Sequence, residues 1–293
     1  MRAAVATCLL ACAVVCAASP ARATDPFEIQ VYDGTANAPM QPGLELHLNY
    51  VANGLKEPEG ATVAQHHQGH MTLEPSLGIL PWWELGAYFQ TAVVPGAGFE
   101  YAGAKLRSKF VTPPKWHPNL RLGANFELAL IPERFDNDRW STELRPIVAW
   151  ENDRWLFALN ANVSTPLGGD GFRKGPNFEP AAMAVVKLYE VIGLGVEYYS
   201  GLGPFSDFSP LSKQEHYLYE VANLLAVDAL ELNVGVGEGL TSGSNKLVLK
   251  LIVGWEFDTT PPGSATDPSA TARSRGGLRG ASGRFLPRQS PLL

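Results

Sequence analysis

Leu44-Glu45-Leu46-His47-Leu48-Asn49-Tyr50 alternates apolar and polar side chains without a break, the pattern of a β-strand with one apolar and one polar face. The same period of two returns in Leu120-Arg121-Leu122-Gly123-Ala124-Asn125-Phe126-Glu127-Leu128, in Leu230-Glu231-Leu232-Asn233-Val234-Gly235-Val236 and around Leu249-Lys250-Leu251. Twelve such runs can be marked, at roughly 44–51, 70–79, 83–93, 101–110, 119–130, 141–150, 154–164, 177–188, 192–200, 216–226, 229–238 and 246–257. About ten residues is the length a tilted strand needs to cross a bilayer core. The connections at 80–82, 111–118, 151–153, 189–191 and 227–228 are mostly short, whereas 52–69, 131–140, 165–176 and 201–215 are long and polar. An even strand count with short turns on one side and long loops on the other is the signature of a bacterial outer-membrane barrel. A soluble β-sandwich would also hide one face, but it requires neither ten-residue strands throughout nor alternating connections. The predicted fold class is all-β: a closed antiparallel up-and-down transmembrane β-barrel of about 12 strands. No stretch of 18 apolar residues follows residue 23, so a transmembrane helix is not expected.

Composition narrows the function classes. The 293 residues are 45% hydrophobic and 18% charged, with 29 acidic against 23 basic side chains, which excludes a disordered chain and a basic nucleic-acid binder. Residues 1–23 carry Arg2, an apolar run and Ala21-Arg22-Ala23, the pattern of a cleaved signal peptide. Cys8, Cys12 and Cys16 all fall within it, so no disulfide or thiolate site is expected in the exported chain. Residues 258–293 hold five Pro, five Gly, five Ser and five Arg, which reads as a disordered basic tail. The barrel is expected over 44–257, preceded by a periplasmic segment at 24–43. Between the two ends, residues 24–257 hold 16 basic and 27 acidic side chains, a charge of −11 that repels phosphate backbones.

Tryptophan placement gives an independent indication, because indoles prefer the membrane interface to its centre. Trp82, Trp83, Trp116, Trp150, Trp155 and Trp255 all sit at or beside connections on the predicted periplasmic side, and with Phe257 they predict an interface girdle against outer-membrane lipid.

If Leu44, Leu46 and Leu48 face lipid, Glu45, His47 and Asn49 face the lumen. The same rule points Lys105, Arg107, Lys109, Arg121 and Arg145 inward as a basic wall, with Glu197, Glu220, Glu231 and Glu45 broadly opposite. Opposed charges across a pore select solutes by sign and orient dipoles; alternatively they pair with neighbours, such as Arg121 with Glu127 or Glu143 and Lys105 with Glu84. Gly193, Gly195, Gly235 and Gly237 would leave space on the acidic side. Glu74-Pro75, Arg145-Pro146 and Glu179-Pro180 place prolines inside strands, where bulges are expected. His66, His67 and His70 form the one histidine cluster and are weak candidates for copper or zinc, with a solvated loop as the plainer reading. No Ser-x-His or His-x-Ser occurs, so a catalytic site is not expected, and neither is a cofactor.

The last strand, Leu247-Val248-Leu249-Lys250-Leu251-Ile252-Val253-Gly254-Trp255-Glu256-Phe257, ends on an aromatic and resembles the insertion signal read by the barrel assembly machinery, although 36 residues follow Phe257. With Pro42-Gly43-Leu44-Glu45-Leu46-His47-Leu48-Asn49, Leu73-Glu74-Pro75-Ser76 and Ser108-Lys109-Phe110-Val111-Thr112-Pro113-Pro114, the chain resembles outer-membrane putative transporters related to the MetA-pathway-of-phenol-degradation family. The resemblance implies passive passage of small solutes across the bacterial outer membrane. The alternatives are a lipid-modifying outer-membrane hydrolase and a non-transporting adhesion or assembly scaffold.

Overall fold

The computed structural model describes residues 25–113, 115–188, 191–225 and 230–257; the leader 1–23, its three cysteines and the tail 258–293 lie outside the described residues. Long runs with a two-residue period leave the chain one economical solution, pairing of neighbouring strands until the sheet closes on itself. The strands are β1 (Pro42–Asn53), β2 (Gly69–Leu80), β3 (Trp83–Val94), β4 (Gly98–Val111), β5 (Leu120–Leu130), β6 (Trp140–Glu151), β7 (Trp155–Pro166), β8 (Asn177–Leu188), β9 (Ile192–Gly201), the two-residue β10 (Gly203–Pro204), β11 (Glu215–Leu224), β12 (Leu230–Gly239) and β13 (Leu247–Glu256). One short helix, α1 (Gly169–Lys174), caps the β7–β8 loop.

Every ladder is antiparallel, and β1 pairs with β13 from Gly43↔Glu256 to Asn53↔Leu247, closing twelve long strands into a barrel. Its polarity is inverted relative to a soluble protein. Phe89, Leu106, Phe126, Leu128, Val148, Leu159, Leu194, Val196, Val234 and Val236 are exposed, whereas Glu45, His47, Glu74, Gln90, Lys105, Arg107, Asn125, Arg145, Asn160, Glu197 and Lys250 are buried. An outward apolar band on this scale is stable only against another apolar medium. Trp82, Trp116, Trp150, Trp155, Trp255 and Phe257 are exposed at the short-turn end; Trp83 is half-buried and donates its indole N–H to Ser108 Oγ at 2.9 Å.

Two expectations about strand interiors change. The three prolines do not all make bulges. Pro75 and Pro146 interrupt the β2–β3 and β6–β7 ladders, yet the pairing resumes in the same register. Only at Pro180 is there an offset of one residue, where β8 passes from β9 to β10. The inward glycines also leave no void. A Cβ on Gly237 would stand 2.2 Å from the Tyr219 ring and one on Gly235 would stand 3.0 Å from the Lys250 side chain, so both glycines make room for large neighbours across the strand pair.

The chain ahead of β1 occupies the space these walls enclose. Residues 25–38 run inside the barrel from the long-loop end toward the short-turn end, where β1 begins, and Phe27, Glu28, Ile29, Val31 and Tyr32 are buried. Phe27 packs edge-on to His70 and Phe135 near the long loops, while Asn37 reaches Ser76 near the short turns. The stretch 24–43, expected in the periplasm, thus contributes its residues 25–38 to the interior, while Pro39 and Met40 are exposed. A solvated linker has no use for Phe27, Ile29, Val31 and Tyr32, whereas a lumen filler does.

Candidate permeation pathway

The segment is held first through its backbone, by side chains projecting from the wall. Asn49 donates to Pro26 O at 2.9 Å, Thr72 to Phe27 O at 2.9 Å and Lys250 to Ile29 O at 3.1 Å. Asn160 clamps Tyr32 from both sides, accepting from its N–H at 2.7 Å and donating to its carbonyl at 2.9 Å. An irregular segment cannot satisfy its own backbone groups, so such wall contacts are a condition of its burial.

Charge pairing adds a second layer. Lys105, Arg107, Lys109, Arg121 and Arg145 all face inward, as the alternation predicts, and each meets carboxylates. Lys105 contacts Asp25 at 2.5 Å, Glu127 at 3.2 Å and Glu28 at 3.5 Å. Arg107 lies between Glu74 at 2.6 Å and Glu84 at 2.7 Å, and Lys109 takes Glu84 at 2.9 Å. Arg121 bonds Glu151 at 2.5 Å and the Asp33 carbonyl at 2.7 Å; Lys187 also pairs with Glu151. Arg145 binds Glu143 at 2.7 Å and Glu28 at 3.1 Å. The wall is therefore largely neutralised by acids on neighbouring strands and on the inserted segment. The partners differ from the simplest expectation: Lys105 pairs with Glu127 rather than Glu84, and Arg121 with Glu151 and Asp33.

Tyr32 sits at the centre of this array. Its hydroxyl lies 2.5 Å from that of Tyr88 and donates to Glu28 at 3.0 Å, and Arg145 lies 4.4 Å from its ring centre. Gly86, directly across from Arg107, lets the guanidinium lie against the sheet, since a Cβ there would stand 2.7 Å from Nε.

On the other flank Glu45, Glu197 and Glu231 face the lumen as expected, and Glu197 binds Lys250 at 2.5 Å. Glu220 does not. It is exposed on the outer surface, because β11 directs Glu215, Tyr217, Tyr219, Val221 and Asn223 inward. The two tyrosines fill the interior beside Gly237 and Gly239, and the strand parity that seats them turns Glu220 outward. A cavity remains between Gln30–Thr35 and this flank, lined by Glu45, Glu231, Asn223, Asn233 and Lys250.

The histidine cluster is not one site. His66 and His67 lie side by side in the β1–β2 loop with ring centres 3.9 Å apart and planes tilted by 41°, whereas His70 is buried on the lumen side against Gln68 and Phe27. His66 accepts from the Gly54 N–H and His67 bonds the Tyr50 hydroxyl. Desolvation, then the His67 ring and Lys56, hold His66 below the ordinary imidazole pKa.

Sequence reasoning singled out none of Asp25, Glu28, Tyr32, Asp33 or Lys250. The signal for the first four was the mixture of acids and large apolar residues in 25–33; that for Lys250 was the strand parity itself.

No protein-family model matches the chain, and no curated protein matches it. Among solved structures it is similar to the COG4313 outer membrane channel from Pseudomonas putida F1, at 12% identity and a TM-score of 0.54, over 78% of this chain and 100% of that one. It also aligns with KdgM porin at 10% identity and a TM-score of 0.49, over 74% of this chain and 99% of that one. LpxR from Salmonella typhimurium aligns at 8% identity and a TM-score of 0.43, over 73% and 100%.

Proposed function

We propose that the chain is a channel of the bacterial outer membrane that admits small polar solutes past an inserted N-terminal segment. The observation that carries this reading is a closed twelve-stranded barrel whose outer band is apolar and whose interior holds ionised and amide side chains together with a residual polar cavity. Barrels of this kind meet lipid on one surface and water on the other. Insertion by the barrel assembly machinery and export by the leader accord with the terminal strand and the first 23 residues. With Arg107 and Lys109 paired to Glu84 and Lys250 to Glu197, selectivity in the cavity falls to Glu45, Glu231, Asn223 and Asn233, which favours hydrogen-bonding neutral or cationic solutes over anions. The cavity beside Gln30–Thr35 is small, which favours small conductance steps.

The test is planar-bilayer recording on the purified, refolded protein beside a variant lacking residues 25–36. Small cation-preferring steps in the wild type, growing severalfold in the variant, are expected. Silence from both, with heat-modifiable gel migration proving that each barrel is folded, overturns the channel reading and turns attention to lipid hydrolysis or a scaffold role.

A further inference from the structure

Glu45 on β1 stands directly opposite Glu74 on β2, and His47 lies two residues along on the same face. Two carboxylates facing each other across a strand pair repel, the more so when buried. All three side chains are almost fully removed from solvent. His47 Nε2 lies between them, 3.6 Å from Glu45 Oε2 and 3.2 Å from Glu74 Oε2, and the three ligand atoms all fall within 4.8 Å of one another. Tetrahedral coordination at bonds of about 2.1 Å gives edges of about 3.4 Å, so both imidazole–carboxylate separations are close to those of a coordination shell.

We propose that Glu45, His47 and Glu74 bind a divalent first-row transition-metal cation of the Zn2+ type inside the barrel wall. One imidazole and two carboxylates form a borderline donor set that suits Zn2+ and disfavours Ca2+, which takes six or more oxygens. Arg107 fixes one ligand in advance: its Nε and Nη2 both bond Glu74 Oε1, at 2.7 and 2.6 Å, and orient Oε2 toward His47. The imidazole is not otherwise engaged, since Nδ1 has no hydrogen-bond partner among the described residues. A second feature points the same way. The cavity lined by Glu45, Glu74 and Glu231 opens beside two of the three ligands and also takes in Asn233, whose buried Oδ1 has no hydrogen-bond partner among the described residues. The cation would join β1 to β2, and because Gln30 Nε2 contacts Glu45 Oε2 at 3.3 Å, it would compete with the inserted segment for that oxygen. The inference does not depend on the channel reading.

The experiment is calorimetric titration of EDTA-treated, refolded full-length protein with Zn2+, in a His66→Gln/His67→Gln/His117→Gln background that removes the loop imidazoles. One Zn2+ per chain is expected, weakened tenfold or more by Glu45→Gln and by His47→Gln, with no comparable Ca2+ uptake. Absence of Zn2+ binding in this background, or binding that neither substitution weakens, overturns the site. Should the lumen variants fail to fold, Cu2+ electron paramagnetic resonance on the loop background alone decides. Coupling to one nitrogen supports the site; coupling to none, or to two, overturns it.

Discussion

Arg145 on β6 rests its guanidinium 4.4 Å from the ring centre of Tyr32, so a strand of the wall grips a segment more than a hundred residues away in sequence. The Tyr32 hydroxyl meets that of Tyr88 and donates to Glu28 of its own segment, and Asn160 holds its backbone. Burying charge against an aromatic face and closing it with acids anchors the segment here.

Tyr32→Ala removes that anchor and leaves a cavity among charged neighbours. Large-to-small changes of this kind cost about 3 kcal/mol. The barrel should still form, but its heat-modifiable transition should fall and residues 25–38 should become open to proteolysis in detergent. Unchanged protection would mean that the backbone clamps alone hold the segment.

Gly78 tests the other end of the segment. A Cβ there would stand 2.1 Å from the Ala38 carbonyl oxygen and 2.4 Å from that of Asn37, so Gly78→Ala must push the chain off the wall. Single-channel conductance should rise while the outer band and strand register stay as they are. An unaltered conductance would place the narrowest point elsewhere.

Arg107 sits between Glu74 and Glu84, all three nearly sealed from solvent. Arg107→Met leaves two buried carboxylates without their common cation, a change that costs about 3–5 kcal/mol. Arg107→Met/Glu74→Gln should recover part of this loss. Chemical-denaturant unfolding from liposomes measures both, and equal losses in the single and double variants would contradict the pairing.

Glu220 faces outward between Val196 and Val236. A carboxylate on the lipid face costs stability in a depth-dependent way, less than the 2–4 kcal/mol of a basic residue at the midplane. Glu220→Leu should therefore raise unfolding stability by about 1 kcal/mol and leave ion selectivity unchanged. A shift in selectivity would return Glu220 to the pore.

How much of this was legible in the chain varies with the range of the interaction concerned. Leu44 to Tyr50 gives its own strand, its own register parity and the inward direction of Glu45, His47 and Asn49, because a strand's two faces are set by neighbours one and two residues away. The same local rule pointed all five basic wall residues inward, and the places of the tryptophans beside the short connections are likewise read directly from the chain. It failed at Glu220, where Tyr217 and Tyr219 compete with the acid for the interior and their greater bulk fixes the parity.

Strand number, closure and the inverted polarity were thus determined by the sequence itself, since period, run length and the spacing of turns are local quantities. What fills the barrel was decided only in three dimensions. Whether Arg145 meets Glu28 or solvent, whether Gly237 is a void or a seat for Tyr219, and whether Glu45 and Glu74 converge on His47 all depend on which strands face each other once the sheet curls shut. The inserted segment is the extreme case. Nothing periodic marks residues 25–38, and their place follows from the one interior that twelve strands enclose, where buried charges and backbone amides must find partners across the lumen.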